Sequence, residues 1–224
     1  MNLRLWLSCG AFSALLGVLY ACSSDEVQNT QPAEKCDTYC SRMATTCTGS
    51  DVQFAGPDAK TQLATCMRVC SNWVIGKVGE GGDTLACRSN ILSSTAELDQ
   101  DADAPQLAAG CSNAGPFSDG CGGRCETLCR LNALTCSGTL SQFSSEGECI
   151  TQCKGLKGGF DSPLVIPKTA SGNTVACRGY HTMAALGAAA TDPSTHCPHT
   201  KMPTSPVCFD TTPVSDGGAD ATTD

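Results

Sequence analysis

Two stretches decide the fold: Cys36-Asp37-Thr38-Tyr39-Cys40 and its copy Cys125-Glu126-Thr127-Leu128-Cys129. Each opens a run of cysteines in the same order. The first run is Cys36, Cys40, Cys47, Cys66, Cys70, Cys87, Cys111 and Cys121. The second is Cys125, Cys129, Cys136, Cys149, Cys153, Cys177, Cys197 and Cys208. Both begin C-x3-C-x6-C and continue with a C-x3-C pair. Other residues keep the register. Thr46-Cys47-Thr48-Gly49 matches Thr135-Cys136-Ser137-Gly138, and Gln53-Phe54 matches Gln142-Phe143. Gly82-Asp83-Thr84-Leu85-Ala86-Cys87-Arg88 matches Gly172-Asn173-Thr174-Val175-Ala176-Cys177-Arg178. The chain is a tandem duplication. Its modules are read as residues 33–122 and 123–209.

The spacing reads as helix. Residues on a helix advance by about 100° each, so offsets of 4 and 11 bring Cys36, Cys40 and Cys47 within roughly 40° on one face. Cys66 and Cys70 share a face of a second helix. Two antiparallel helices with a C-x3-C pair each can be joined twice, Cys36 to Cys70 and Cys40 to Cys66. Module two repeats this as Cys125 to Cys153 and Cys129 to Cys149. The arrangement resembles the twin C-x3-C helical hairpins of several small oxidised proteins. Asp58 is a candidate N-cap, and Ser145-x-x-Glu148 reads as a capping box. A third helix is expected after Asp83 and Asn173, both N-cap types, running to about residues 96 and 190. Cys47 is then expected to meet Cys87, and Cys136 to meet Cys177. Cys111 to Cys121 and Cys197 to Cys208 remain as local loop closures. The fold class is mainly α, small and disulfide-rich, with a stapled hairpin, a third helix and loops in each module.

Composition agrees. The chain has 224 residues, 18 cysteines and 5% aromatics. Cysteine at about 8% marks a disulfide scaffold. Small modules with few large apolar groups gain little from core burial, and covalent staples compensate. The formal charge is −8; without Arg4, 13 basic and 22 acidic residues leave −9. That excess argues against nucleic acid and against docking on anionic lipid.

Residues 1–21 read as a signal peptide: a basic start, then an apolar run from Leu5 to Tyr20 that is short for a spanning helix. Leu19-Tyr20-Ala21-Cys22 resembles a bacterial lipobox. The resemblance implies cleavage before Cys22 and lipidation of that cysteine, with several acyl chains (diacylglycerol and an amide-linked acyl such as palmitate) anchoring stably where one does not. Ser23 at the following position implies the outer membrane, the alternative being secretion. Residues 22–32 form a polar tether, and 210–224 an acidic tail expected to be disordered.

The site-like signal is asymmetric. His181, His196 and His199 all lie in module two, opposite Ile91, Gly110 and Asn113 of module one. Cys177-x3-His181 and His196-Cys197-Pro198-His199 bring imidazoles toward one another, and imidazole is a common ligand for zinc or copper. G-x-S-x-G, H-E-x-x-H, nucleotide-binding glycine patterns and C-x-x-C-H are all absent from the sequence. An even division of sixteen cysteines leaves no thiol for catalysis. Paired carboxylates such as Asp101 and Asp103 read as solvated loop. No organic cofactor is expected.

Cys-x3-Cys openings, Ala-Cys-Arg, His-Cys-Pro-His and a closing Cys resemble cysteine-rich lipoproteins of the myxobacterial kind, over residues 36–208. Module one departs from the pattern in lacking the histidines. The resemblance implies a habitat and carries no activity. The first expectation is a non-catalytic, envelope-anchored lipoprotein, an interaction or structural module whose partners are the membrane through its anchor and an envelope protein or surface component. The alternative is a metal-binding or redox accessory protein using His181, His196 and His199. A secreted enzyme ranks last. Recognition is expected where the copies differ, at the histidines and at the insertion Phe160 to Pro167.

Overall fold

Cys36–Thr46 (α1) is helical as the cysteine spacing requires, and Cys47 caps its end in a non-helical conformation. The computed structural model describes residues 35–98, 103–156, 171–187 and 193–209. The signal segment, Cys22 and the tether, Asp101, the Phe160 to Pro167 insertion and the acidic tail lie outside the described residues. Among the described residues there are eight helices and no strand, beyond an isolated parallel bridge between Val74 and Thr84. No described helix is long and apolar enough to cross a membrane.

After α1 comes Ala59–Cys70 (α2), whose N-cap Asp58 accepts from the Thr61 amide at 2.8 Å. Leu85–Thr95 (α3) follows. Its N-cap is Thr84, one residue later than expected, accepting from the Cys87 amide at 3.1 Å. Ala104–Ala114 (α4) is a fourth helix, where a third helix followed by loops was expected; Asp103, read as solvated loop, is its N-cap residue, and Pro105 lies in its first turn. Proline at a helix start loses no hydrogen bond, so Pro105 is compatible with the helix.

Repeat two is Arg124–Thr135 (α5), Glu146–Lys154 (α6), Val175–Leu186 (α7) and the short Pro193–His196 (α8), which runs into a tighter turn at Cys197–Thr200. Thr174, not Asn173, caps α7, accepting from the Cys177 amide at 3.1 Å. Ser145 caps α6. The Glu148 carboxylate reaches back one residue further than a capping box requires, to the Ser144 amide at 2.8 Å.

The twin staples join Cys36 to Cys70, Cys40 to Cys66, Cys125 to Cys153 and Cys129 to Cys149. The other four bridges differ from expectation. Cys47 joins Cys111, not Cys87, and Cys87 joins Cys121. Cys136 joins Cys197, not Cys177, and Cys177 joins Cys208. Cys111 to Cys121 and Cys197 to Cys208 are therefore not local closures. The reason is α4 and its counterpart α8. A helix carries Cys111 alongside the end of α1, and the chain leaving it returns Cys121 to the first turn of α3.

A buried arginine fixes that returning loop in each copy. The Arg88 Nε donates to the Gly115 carbonyl at 3.1 Å and its Nη2 to Cys121 at 3.2 Å, while its guanidinium lies 4.2 Å from the Trp73 ring centre. Asp83 pairs with it at 2.5 Å. Arg178 does the same with the Lys201 carbonyl at 3.2 Å, the Cys208 carbonyl at 3.3 Å and the Asn173 amide oxygen at 2.7 Å. Both arginines are fully buried, and five donors in a planar fork suit a fan of carbonyls. Burial pulls Arg88 down to about 10, so it stays charged at neutral pH.

Tyr39, from the opening stretch, sits at the centre of repeat one. It packs edge-on to Trp73 with ring centres 5.5 Å apart, and its hydroxyl donates to the Ala114 carbonyl of α4 at 2.6 Å. Such an aromatic pair is worth about 0.5–1.5 kcal/mol beyond its buried area.

The copies share one core. Tyr39, Val69 and Phe117 of repeat one belong to the same apolar cluster as Leu128, Val175 and Met183 of repeat two. Phe117 lies against Gly179 of α7, where a Cβ would stand 2.3 Å from the ring. Arg68 on α2 donates to the Leu186 and Gly187 carbonyls at 3.1 and 3.2 Å. Arg130 on α5 pairs with Asp83. At the junction Gly122 has φ of +104° and passes so close to Asp83 that a Cβ would clash; only glycine combines that φ with that approach.

Candidate functional site

The three histidines of repeat two meet. His181 stands on α7 one turn after Cys177, on the face that packs against α8 and the Cys197–Thr200 turn. His196 ends α8, and His199 lies within the turn. Two contacts hold that turn. Thr200 donates its hydroxyl proton to the Cys197 carbonyl at 2.8 Å and accepts from the Asn132 side chain of α5 at 2.8 Å. The Cys136 to Cys197 bridge then pins the residue between His196 and Pro198 to the end of α5. Ser205 donates to the His199 carbonyl at 2.8 Å and accepts from the Cys208 amide at 3.0 Å, so the closing loop is fastened to the same turn.

The ring nitrogens converge. His181 Nδ1 is 3.1 Å from His196 Nδ1 and 3.3 Å from His199 Nδ1. One nitrogen from each of the three lies within 4.8 Å of the others. His181 is buried, and His196 and His199 are half-buried. Ligands at about 2.0–2.1 Å around a tetrahedral zinc ion lie about 3.3 Å apart, so two of the three separations already have coordination length. A pyridine-type nitrogen has a single in-plane lone pair. With those nitrogens unprotonated, the three rings offer converging lone pairs, a good donor set for a cation. Burial, and then the neighbouring His196, hold the His199 imidazole below its ordinary value. The favoured neutral form is the one that binds metal.

Sulfur adds nothing to the set. Cys177 and Cys208 offer sulfurs close to His181, but they are bonded to each other, and a metal ligand must be a thiolate. No further group of His, Cys, Asp and Glu gathers around a common point among the described residues. Among the described residues the donor set is three imidazoles, a ligand type suited to zinc, copper or nickel.

Repeat one differs at these positions. At the place of His196 it has Gly110, where a Cβ would stand 2.2 Å from the Thr95 hydroxyl of α3. There α4 lies directly on α3 and the equivalent space is closed. Between the repeats a cavity of about 110 Å³ is lined by Ala55, Gly56, Pro57, Thr61 and Thr65 of repeat one and by Tyr180, Ala184, Gly187 and His196 of repeat two. Two larger clefts of about 240 and 250 Å³ occupy matching places beside the first hairpin of each copy. Met43, Val52 and Leu63 make the first largely apolar, whereas Asn132, Ser141 and Glu146 make the second more polar.

The sequence reading named all three histidines. It missed the paired arginines, although Ala-Cys-Arg recurs in both copies, because an arginine after a cysteine carries no signal of burial. It also missed that repeat one contributes a wall beside His196, since no local pattern links Thr65 to α7. Neither a protein-family model, nor a curated protein, nor a solved structure matches this chain.

Proposed function

We propose that the chain is an envelope lipoprotein whose second repeat binds a divalent transition metal, zinc or copper, through His181, His196 and His199. The observation that carries this reading is the convergence of three imidazoles on a disulfide-fixed frame, with the His181 Nδ1 at coordination spacing from the Nδ1 atoms of both His196 and His199. Duplication explains how it arose. The copies diverged at this site: three imidazoles in the second stand at positions held by Ile91, Gly110 and Asn113 in the first. The lipobox-like Leu19-Tyr20-Ala21-Cys22 supports anchoring through Cys22, and Ser23 supports the outer membrane. The protein has no catalytic role of its own in this reading; it holds metal at the membrane.

The test is elemental analysis and isothermal titration of the purified mature chain with Zn2+ and Cu2+. One equivalent bound by the native chain, and none by the His181→Ala/His196→Ala/His199→Ala variant with its disulfides intact, is expected. Equal retention by the triple variant overturns the reading.

A second reading, contact with an envelope protein, draws on exposed apolar residues in the α2–α3 loop. Val74, Ile75 and Val78 are 68%, 53% and 45% exposed. Photo-crosslinking from Ile75 in intact cells tests it, and no adduct above that from an exposed polar control site counts against it.

A further inference from the structure

Among the described residues the three-histidine site has three protein donors and a coordination position left open. The donor set stops at three: the nearby sulfurs are bonded to each other, and no described carboxylate joins the cluster. Three protein nitrogens with a fourth position open is the pattern of zinc sites that take an exchangeable ligand, whereas purely structural zinc sites are closed by four protein ligands.

The surroundings provide room for that ligand. His196 is at once a member of the cluster and a wall of the cavity of about 110 Å³ between the repeats. That volume equals the liquid share of roughly three or four water molecules at ~30 Å³ each. Its other walls are small or hydroxyl-bearing, Thr61 and Thr65 from α2 and Tyr180 and Ala184 from α7, and none carries a formal charge. A divalent ion held by three neutral imidazoles keeps its full charge of about +2. A small space without formal charge, lined by small residues and a few hydroxyls, beside that charge favours water and small anions over cations.

We infer that the metal of the three-histidine site opens into the cavity between the two repeats and there binds water that a small monoanion displaces. This rests on the metal-binding reading and adds the ligand class and its location. It gives repeat one, which lacks the histidines, a part in the site: Thr61 and Thr65 shape the space beside a metal held wholly by repeat two. Exchange is simple substitution. The anion's lone pair forms the new bond to the metal as the bound water leaves with its own electron pair, and no oxidant or reductant takes part.

The test uses the full mature chain loaded with Co2+, whose visible absorption reports coordination, titrated with azide. Native protein is expected to show a saturable, one-to-one spectral change. Ala184→Phe fills the cavity from α7 and should keep cobalt while weakening azide at least tenfold. Thr61→Phe fills it from α2 and serves where Ala184→Phe fails to fold. No azide response in cobalt-loaded native protein overturns the inference, as does an unchanged azide affinity in a filled variant that still holds cobalt. Failure of the native chain to bind Co2+, Zn2+ or Cu2+ at all is a different result and removes the metal-binding reading itself.

Discussion

Removing the bridge between Cys136 and Cys197 should cost metal binding, whereas removing the neighbouring bridge between Cys129 and Cys149 should cost only stability. The first bridge spans 61 residues and the second 20. In the chain-entropy account, closing loops of these lengths constrains the unfolded state by about 4 and about 3 kcal/mol at 25 °C. The stability losses of Cys136→Ala/Cys197→Ala and Cys129→Ala/Cys149→Ala should therefore lie within about 1 kcal/mol of each other in urea unfolding. Their effects on the site should not. Cys197 is flanked by His196 and Pro198-His199, so cutting its bridge loosens two of three donors together. What still fastens that turn includes the Asn132 to Thr200 hydrogen bond and the Ser205 contacts. Loss of contacts that orient ligands typically weakens metal binding about 10–100-fold, and zinc titration at a temperature where both variants are folded should show a loss in that range for the first pair alone. Equal zinc affinity in the two variants would refute the claim that this bridge positions the site. Peptide mapping without reduction checks the premise: cross-linked peptides carrying Cys136 with Cys197, and Cys47 with Cys111, are expected.

Three further outcomes follow from the packing and the titration. Gly179→Ala should destabilise by about 1–3 kcal/mol, the usual range for overpacking a filled core, because its Cβ would meet the buried Phe117 ring at 2.3 Å; a thermal scan no lower than native would show that the two copies do not share this contact. Asp83→Ala strips Arg88 and Arg130 of a carboxylate and should cost about 3 kcal/mol, as breaking buried pairs does, while Asp83→Asn, which copies Asn173 of repeat two, should cost less in the same assay. The metal and the fold should both weaken in acid. His199 titrates below its ordinary 6.5 in the folded chain, so the unfolded chain binds the proton more readily and stability is full above 6.5 and declines as pH falls through and below it; protons compete with metal in the same direction, and zinc retention unchanged well below 6.5 would contradict the assignment.

What was legible in the sequence was whatever depends on local periodicity and on comparison of the two copies. C-x3-C spacing places two sulfurs on one helix face, and two such pairs admit the antiparallel double staple directly. The three histidines stood out because the first copy lacks them. The cysteines beyond the hairpins were not legible, because their partners depend on where a fourth helix lies. Ala104–Ala114 offers eleven mostly small residues with a single large apolar one, Leu107, too little to mark a core-facing helix by itself, and it packs on α3. Once that helix stands beside α1, Cys47 faces Cys111 and the returning loop brings Cys121 to Cys87. The same tertiary placement carried Cys197 to Cys136 and set His196 and His199 against His181. Duplication, the helical class and the identity of the histidines came from the order of residues alone. The pairing of half the cysteines, the burial of Arg88 and Arg178 as loop clamps, the shared core and the convergence of the three nitrogens came only with the packed structure, because each depends on residues distant in sequence meeting across helices.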